Sequence, residues 1–360
     1  MLSQSSNHSN PVLDAFHRPM RSLRISVTDR CNLRCHYCMP EDEYAWVERE
    51  EILTFEEIST ITKIFTALGV RRLRLTGGEP LLRHNLPRLV EMLAANPILE
   101  DLALTTNGVL LGRMAQPLRN AGLKRVTISL DTLRPDRFHA LTRSTAHGAV
   151  LEGIDEALRC GFDSVKINTV AMRGVNDDEV AALLEFSRGK GAEIRFIEYM
   201  DVGGATRWSM EEVVTRAEIL KIIEQNFGSV TPVGPVAQEA NSNGGGRSKA
   251  PADRFKLADG TAFGIISSTS QPFCGTCDRS RLTPDGVWLL CLYALGGINL
   301  KALLRNGTMP ADIAQIIETT WQRRNDRGAE ERKLLPERGI FFRADELRRD
   351  LHLEMHTRGG

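Results

Sequence analysis

Along the first two-thirds of the chain, alternation of apolar and polar residues gives way repeatedly to a helical spacing of apolar positions. Residues 21–28 (R-S-L-R-I-S-V-T) alternate like a strand with two different faces. Thr54-Phe55-Glu56-Glu57 is a capping box, so a helix is predicted from there to about residue 68. Further strands are predicted at 71–76, 102–105, 125–129, 164–170 and 193–198. The helices between them cover about 86–95, 110–120, a stretch ending near Cys160, and one capped by Asn176-Asp177-Asp178-Glu179.

Six β/α units in succession predict an α/β fold on a parallel sheet, either curled into part of a (β/α) barrel or doubly wound. Periodicity alone leaves both open. The pattern changes after Met200. Thr215 and Glu218 frame another capping box, short strands are expected at 254–257 and 262–267, and Pro284-Asp285-Gly286 should turn a hairpin over 281–290. Two helices then lead to a polar tail. The resulting division is a disordered leader at 1–17, a barrel at 18–230, a C-terminal region at 231–345 with a flexible insert at 241–250, and a tail at 346–360 ending Gly359-Gly360.

Composition narrows the class of function. The 360 residues carry no formal net charge, so no basic surface advertises nucleic acid, and no apolar run is long enough for a membrane span. The polar start lacks a signal peptide's basic and apolar segments, and the cysteine spacings suit metal sites in a reducing, cytoplasmic setting more than disulfides.

Six of the seven cysteines fall into two sets, C-x3-C-x2-C at Cys31, Cys35 and Cys38, and C-x2-C-x13-C at Cys274, Cys277 and Cys291. Three thiolates on a four-iron cube leave one iron open to a ligand that is not protein. The first set directly follows the first strand, at the functional end of a parallel α/β sheet. Zinc asks for four ligands. No fourth cysteine is near, and His36, adjacent to Cys35, is poorly placed. Cys160, in R-C-G-F, belongs to neither set and is expected to pack.

C-x3-C-x2-C with Tyr37 before its last cysteine, followed at the second strand by Thr76-Gly77-Gly78-Glu79-Pro80, resembles the radical S-adenosylmethionine (SAM) enzymes. The second cysteine set, continuing C-D-R-S-R, together with a Gly-Gly end, narrows the resemblance to the GTP 3′,8-cyclase family, over about 21–360. It implies a partial (β/α)6 TIM-like barrel with a C-terminal α+β extension carrying a second cluster, and two [4Fe–4S] clusters plus SAM as cofactors. The first cluster, on Cys31, Cys35 and Cys38, would split SAM into methionine and a 5′-deoxyadenosyl radical. Tyr37, Gly78, Glu79, Ser129 and Met200 match positions that serve SAM, and Glu79 could take its amine. The second cluster would bind the guanine of GTP, whose ribose C3′ radical attacks C8. The tail would enter the active site.

A triphosphate site needs several cations turned into one cavity. Arg24, Arg72, Arg74, Lys166, Arg195, Arg279 and Arg281 lie on predicted strands. By resemblance, Arg24, Arg74, Thr105, Lys166, Arg279 and Arg281 contact GTP. Arg72 shares a strand face with Arg74, Ser280 lies between the last two arginines, and Arg195 serves SAM or GTP. The family further implies an external electron donor, hand-off of product to a cyclic pyranopterin monophosphate synthase, and a homodimer. The competing readings are a radical SAM peptide-modifying enzyme with an auxiliary cluster and a non-catalytic metal-binding protein.

Overall fold

The structure, a computed structural model, describes residues 11–234 and 251–359. The expected insert at 241–250, the start of the leader and Gly360 lie outside the described residues. The six predicted strands form, as β1 (Ser22–Ser26), β2 (Arg72–Thr76), β3 (Asp101–Thr106), β4 (Arg125–Ser129), β5 (Ser164–Ala171) and β6 (Glu193–Glu198). They pair in parallel, in chain order. The helix predicted at 54–68 runs over Phe55–Ala67 behind the expected box: Glu57 N donates to Thr54 Oγ1 at 3.1 Å and Thr54 N to Glu57 Oε2 at 2.8 Å.

Alternation along these strands separates two environments. Leu23 and Ile25, Leu73 and Leu75, Ile167, Ile194 and Phe196 turn outward and are buried in one apolar core with the surrounding helices. Each such side chain contributes about 1.5–3 kcal/mol through burial. Arg24, Arg74 and Arg195, at the alternate positions, face the concave side. The concave face of the sheet is therefore polar and cationic, unlike the apolar filling of a closed barrel.

The C-terminal region is not a separate layer. β7 (Val230–Val233), β8 (Asp253–Leu257) and β9 (Ala262–Ile266) extend the sheet beyond β6, and β10 (Arg279–Leu282), β11 (Val287–Leu289) and β12 (Ile298–Asn299) extend it beyond β1. β9 joins β6 and β10 joins β1 in parallel; the predicted hairpin is β10–β11. The result is one twelve-stranded, unclosed, barrel-like sheet ending in β12 and β7.

Two sequence expectations change. Residues 11–17, read as leader, are built into the fold: Val12 N donates to Leu68 O at 3.4 Å, and buried Asp14 pairs with Arg18 at 2.5 Å. Asn176 does not cap a helix with its side chain. Its amide instead ties the end of β5 to the loop after β4, donating to Val170 O and Asp131 O at 2.9 and 2.8 Å. The tail packs into the fold, with Leu353, His356, Thr357 and Arg358 all buried.

Candidate active site

A cavity of about 360 Å³ occupies the concave side at the C-terminal ends of the parallel strands. Cys31, Cys35 and Cys38 line it from the loop after β1; Cys274, Cys277 and Cys291 line it from the loops flanking the β10–β11 hairpin. These are the six cysteines singled out by spacing, and all are free thiols.

The first loop is fixed by a close backbone approach. Gly78 N donates to Thr28 O at 2.8 Å and Glu79 N to Arg30 O at 2.7 Å, immediately before Cys31. A Cβ on Gly78 would lie 2.3 Å from Arg30 O, and one on Gly77 would lie 2.5 Å from Thr28 O. Gly78→Ala is therefore expected to push the cysteine loop aside, costing about 3 kcal/mol or more of stability. A lower melting temperature and less iron taken up on reconstitution should both be seen; full iron uptake at an unchanged melting temperature would contradict it.

Tyr37, Gly78, Ser129 and Met200 line the cavity near this loop. Tyr37 donates from its hydroxyl to Asp131 Oδ2 at 2.8 Å. Glu79 lies behind the wall, fully buried: it accepts from Leu81 N, Thr106 Oγ1 and Asn107 N at 3.0, 2.7 and 2.7 Å. Burial pushes its carboxyl up to about 7 against these bonds. Its geometry is that of a brace between the loops after β2 and β3, with Oε1 accepting two of these bonds and Oε2 one.

Arginines fill the cavity's other side. Register alone aligns three of them, because Arg24 on β1 is the partner of both Arg281 on β10 and Arg74 on β2. Arg195 and Arg279 also line the space. Arg74 donates to Thr105 Oγ1 at 3.1 Å and Thr127 Oγ1 at 3.2 Å; Arg279 lies 4.8 Å over the ring of Phe273. Among the described residues, no carboxylate pairs with Arg24, Arg74, Arg279 or Arg281. Burial and then the charges of Arg281, Arg279 and Arg74 depress Arg24 well below the usual arginine value. Arg281 falls to about 9, through burial and then Arg279. Buried like charges without a counter-ion are costly, and an anion relieves them.

Three predicted contacts fall outside this lining. Arg72, one rung below Arg74, is ion-paired with Asp278. Lys166 pairs with Glu193 at 3.2 Å, and the same carboxylate takes Arg195 Nε at 3.1 Å. Ser280 alternates with Arg279 and Arg281 and so faces the other side of β10.

The tail enters the same space. Met355 and His356 line the cavity, and Arg281 donates to the carbonyls of Gly359 and, at 3.2 Å, Arg358. A Cβ on Gly359 would lie 2.5 Å from Thr76 Cγ2. Sequence reasoning missed several neighbours: Asp131, two residues beyond Ser129; His356, buried with neither ring nitrogen hydrogen-bonded among the described residues; and Arg324, beside Cys277. Only the first had a local signal, an acid ending a strand at the functional rim.

The donor set fits two iron–sulfur clusters: three thiols from the loop after β1 and three from the two loops flanking the β10–β11 hairpin, all opening to one cavity. Among the described residues, no three His, Cys, Asp or Glu side chains are grouped to hold a single metal ion.

Residues 25–187 match the family model for the radical SAM superfamily, and residues 192–330 match the Molybdenum Cofactor Synthesis C model. GTP 3′,8-cyclase 3 of Mycobacterium bovis is 51% identical over 98% of this chain and 92% of its own length. The chain belongs to the GTP 3′,8-cyclase family. GTP 3′,8-cyclase of Acidothermus cellulolyticus is 46% identical over 91% of this chain and 90% of its own, and that of Staphylococcus epidermidis 42% over 90% and 94%. Streptococcus suis SuiB bound to its precursor peptide SuiA superposes with a TM-score of 0.57 at 14% identity, over 89% of this chain and 68% of SuiB. That likeness concerns the fold alone. The two family models meet between residues 187 and 192, just before β6, although the sheet of this GTP 3′,8-cyclase family member runs on without a break.

Proposed function

We propose that this chain converts GTP to (8S)-3′,8-cyclo-7,8-dihydroguanosine 5′-triphosphate, the first step of molybdenum cofactor biosynthesis. The observation that carries this reading is the joining of two three-cysteine sets and five arginines around one cavity. Cys31, Cys35 and Cys38 hold one four-iron cluster; Cys274, Cys277 and Cys291 hold the other. The chemistry that the first cluster and SAM supply when bound is abstraction of the ribose C3′ hydrogen by the 5′-deoxyadenosyl radical.

The chain's own residues bind, orient and exclude. Gly78, Tyr37, Ser129 and Met200 surround SAM. Arg24, Arg74 and Arg281 take the triphosphate, whose charge offsets the mutual repulsion of these cations, and Thr105 holds Arg74 in line. Arg279, stacked on Phe273, and Arg195, tethered by Glu193, flank the substrate. Lys166 and Arg72 act from outside the lining, by balancing Glu193 and Asp278. The stretch 18–230 generates the radical, 231–345 presents the substrate, and the tail closes between them. An external donor supplies electrons, and a cyclic pyranopterin monophosphate synthase takes the product. The chain works as a cytoplasmic homodimer; among its described residues no helix is long and apolar enough to cross a membrane.

The test is turnover of anaerobically reconstituted protein with SAM, dithionite and GTP deuterated at C3′. The expected result is deuterium in 5′-deoxyadenosine together with a GTP-derived cyclised product. SAM cleavage with no GTP product would overturn the substrate assignment and turn attention to peptides.

A further inference from the structure

The two cysteine sets sit in different electrostatic surroundings. Around the first stand three carboxylates and one cation: Asp131 beneath Tyr37, Glu79 behind the loop, Glu354, whose Oε2 would lie 3.3 Å from a Cβ on Gly204, itself packed on Cys38 O, and Arg34, which donates Nη1 to Cys31 O at 3.0 Å. Among the described residues the side-chain donors at its sulfurs are neutral, Asn107 Nδ2 at 4.0 Å from Cys31 Sγ and Tyr37 beside Cys35.

Behind the second set stand two buried guanidiniums. Arg324 directs Nη2 at Cys277 Sγ, 3.6 Å away, and Nη1 at Cys277 O at 3.0 Å. It cannot swing aside, because Asp326 holds Nε at 2.8 Å and its plane lies 4.5 Å over the ring of Trp321. Its side chain is 1% exposed. Arg18 donates Nη1 to Cys274 O and Asp326 O at 3.0 and 2.9 Å, and its buried Nη2 has no hydrogen-bond partner among the described residues. The segment before β1 completes the support: Asp14 pairs with Arg18, and Ala15 N donates to Arg324 O at 3.2 Å.

Reduction adds one electron to a cluster and leaves its bonds and protons in place. The added charge is stabilised by a nearby cation and by an N–H···S bond to a ligand, and is opposed by nearby carboxylates. We propose that Arg324 is a positioning residue that raises the reduction potential of the second cluster above that of the first, through its N–H···S bond to Cys277 and its buried charge. The second cluster then retains an electron for the substrate, while the first stays reducing enough to open SAM. This inference rests on the two-cluster reading above.

The test is a redox titration of the reconstituted full chain followed by electron paramagnetic resonance. The second cluster's signal is assigned by its loss in Cys277→Ala. In the unaltered chain the second midpoint should lie above the first. Arg324→Gln should lower it and leave the first unmoved, with a smaller fall in Arg324→Lys, which keeps charge without the planar fork. Should Arg324→Gln load no second cluster, two measurements decide. One is the Arg324→Lys midpoint. The other is coupling of the reduced cluster to guanidino-15N of labelled arginine, expected in the unaltered chain and lost in Arg324→Lys. An unmoved second midpoint in the variants that load, or no arginine nitrogen coupling lost in Arg324→Lys, overturns the inference. A chain that takes up only about four irons instead overturns the two-cluster reading.

Discussion

Cys277→Ala should leave a protein that still cleaves SAM but no longer cyclises GTP. Cys277 is the thiol best prepared to act as a ligand. Burial pushes it up, but Arg279 and then Arg324 more than offset this and bring it down to about 7. The first cysteine loop belongs to the other side of the cavity and is braced separately, by Gly78 and Glu79 against Thr28, Arg30 and Asn107. Losing Cys277 should therefore lower iron from about eight to about four per chain without collapsing the first site. Product should fall by at least ~10²-fold, since even the outer partners of metal ligands cost roughly 10–100-fold. Iron analysis, 5′-deoxyadenosine release and product mass spectrometry, run in parallel, separate the two halves. Cyclised product at the parent rate would show that the second set does not serve the reaction.

Arg281→Ala should retain both clusters and lose GTP. Arg281 is buried between Arg24, its register partner, and the tail carbonyls of Arg358 and Gly359. Its removal relieves like-charge repulsion with Arg24 and Arg279, so stability should change little. Binding is another matter. Truncating a buried, charge-paired contact costs about 2–5 kcal/mol, so kcat/KM for GTP should drop roughly 10²–10³-fold. Arg281→Lys should recover only part of this, because a point charge cannot bridge the triphosphate and the tail carbonyls as a planar fork does. GTP affinity by calorimetry on the loaded protein is the direct reading. Parent-like affinity in Arg281→Ala would remove this residue from the substrate site.

Much of the site was legible before any coordinates. Thiol spacing marked both cluster loops, and period-two alternation separated Arg24, Arg74 and Arg195 from the leucines and isoleucines beside them. A strand's two faces are a local property, so sequence spacing reports it faithfully. What spacing does not report is depth along the strand. Arg72 and Arg74 share a face, yet one meets Asp278 and the other meets the cavity, because a step of two residues moves a side chain along the strand and out of the cavity's lining. Glu79 shows the same limit: its motif is legible in the sequence, but its hydrogen-bond partners on β3 and the loop after it are announced by no local pattern.

The sequence by itself determined the positions of the six strands of the central sheet, the helix starts at Thr54 and Thr215, the two sets of thiols and the cationic character of the strands. Each depends on residues within a few positions of one another. Tertiary structure alone decided that β10 would add to the free edge of β1, two hundred and more residues away, and so set Arg281 beside Arg24 and bring the second thiol set to the first. It alone brought Arg18 and Arg324 together behind that set and drew the tail into the cavity. Edge pairing is made by backbone groups common to every residue, so the sequence contains no local mark of which strand will join which edge. That choice follows only when the whole chain has buried its apolar faces.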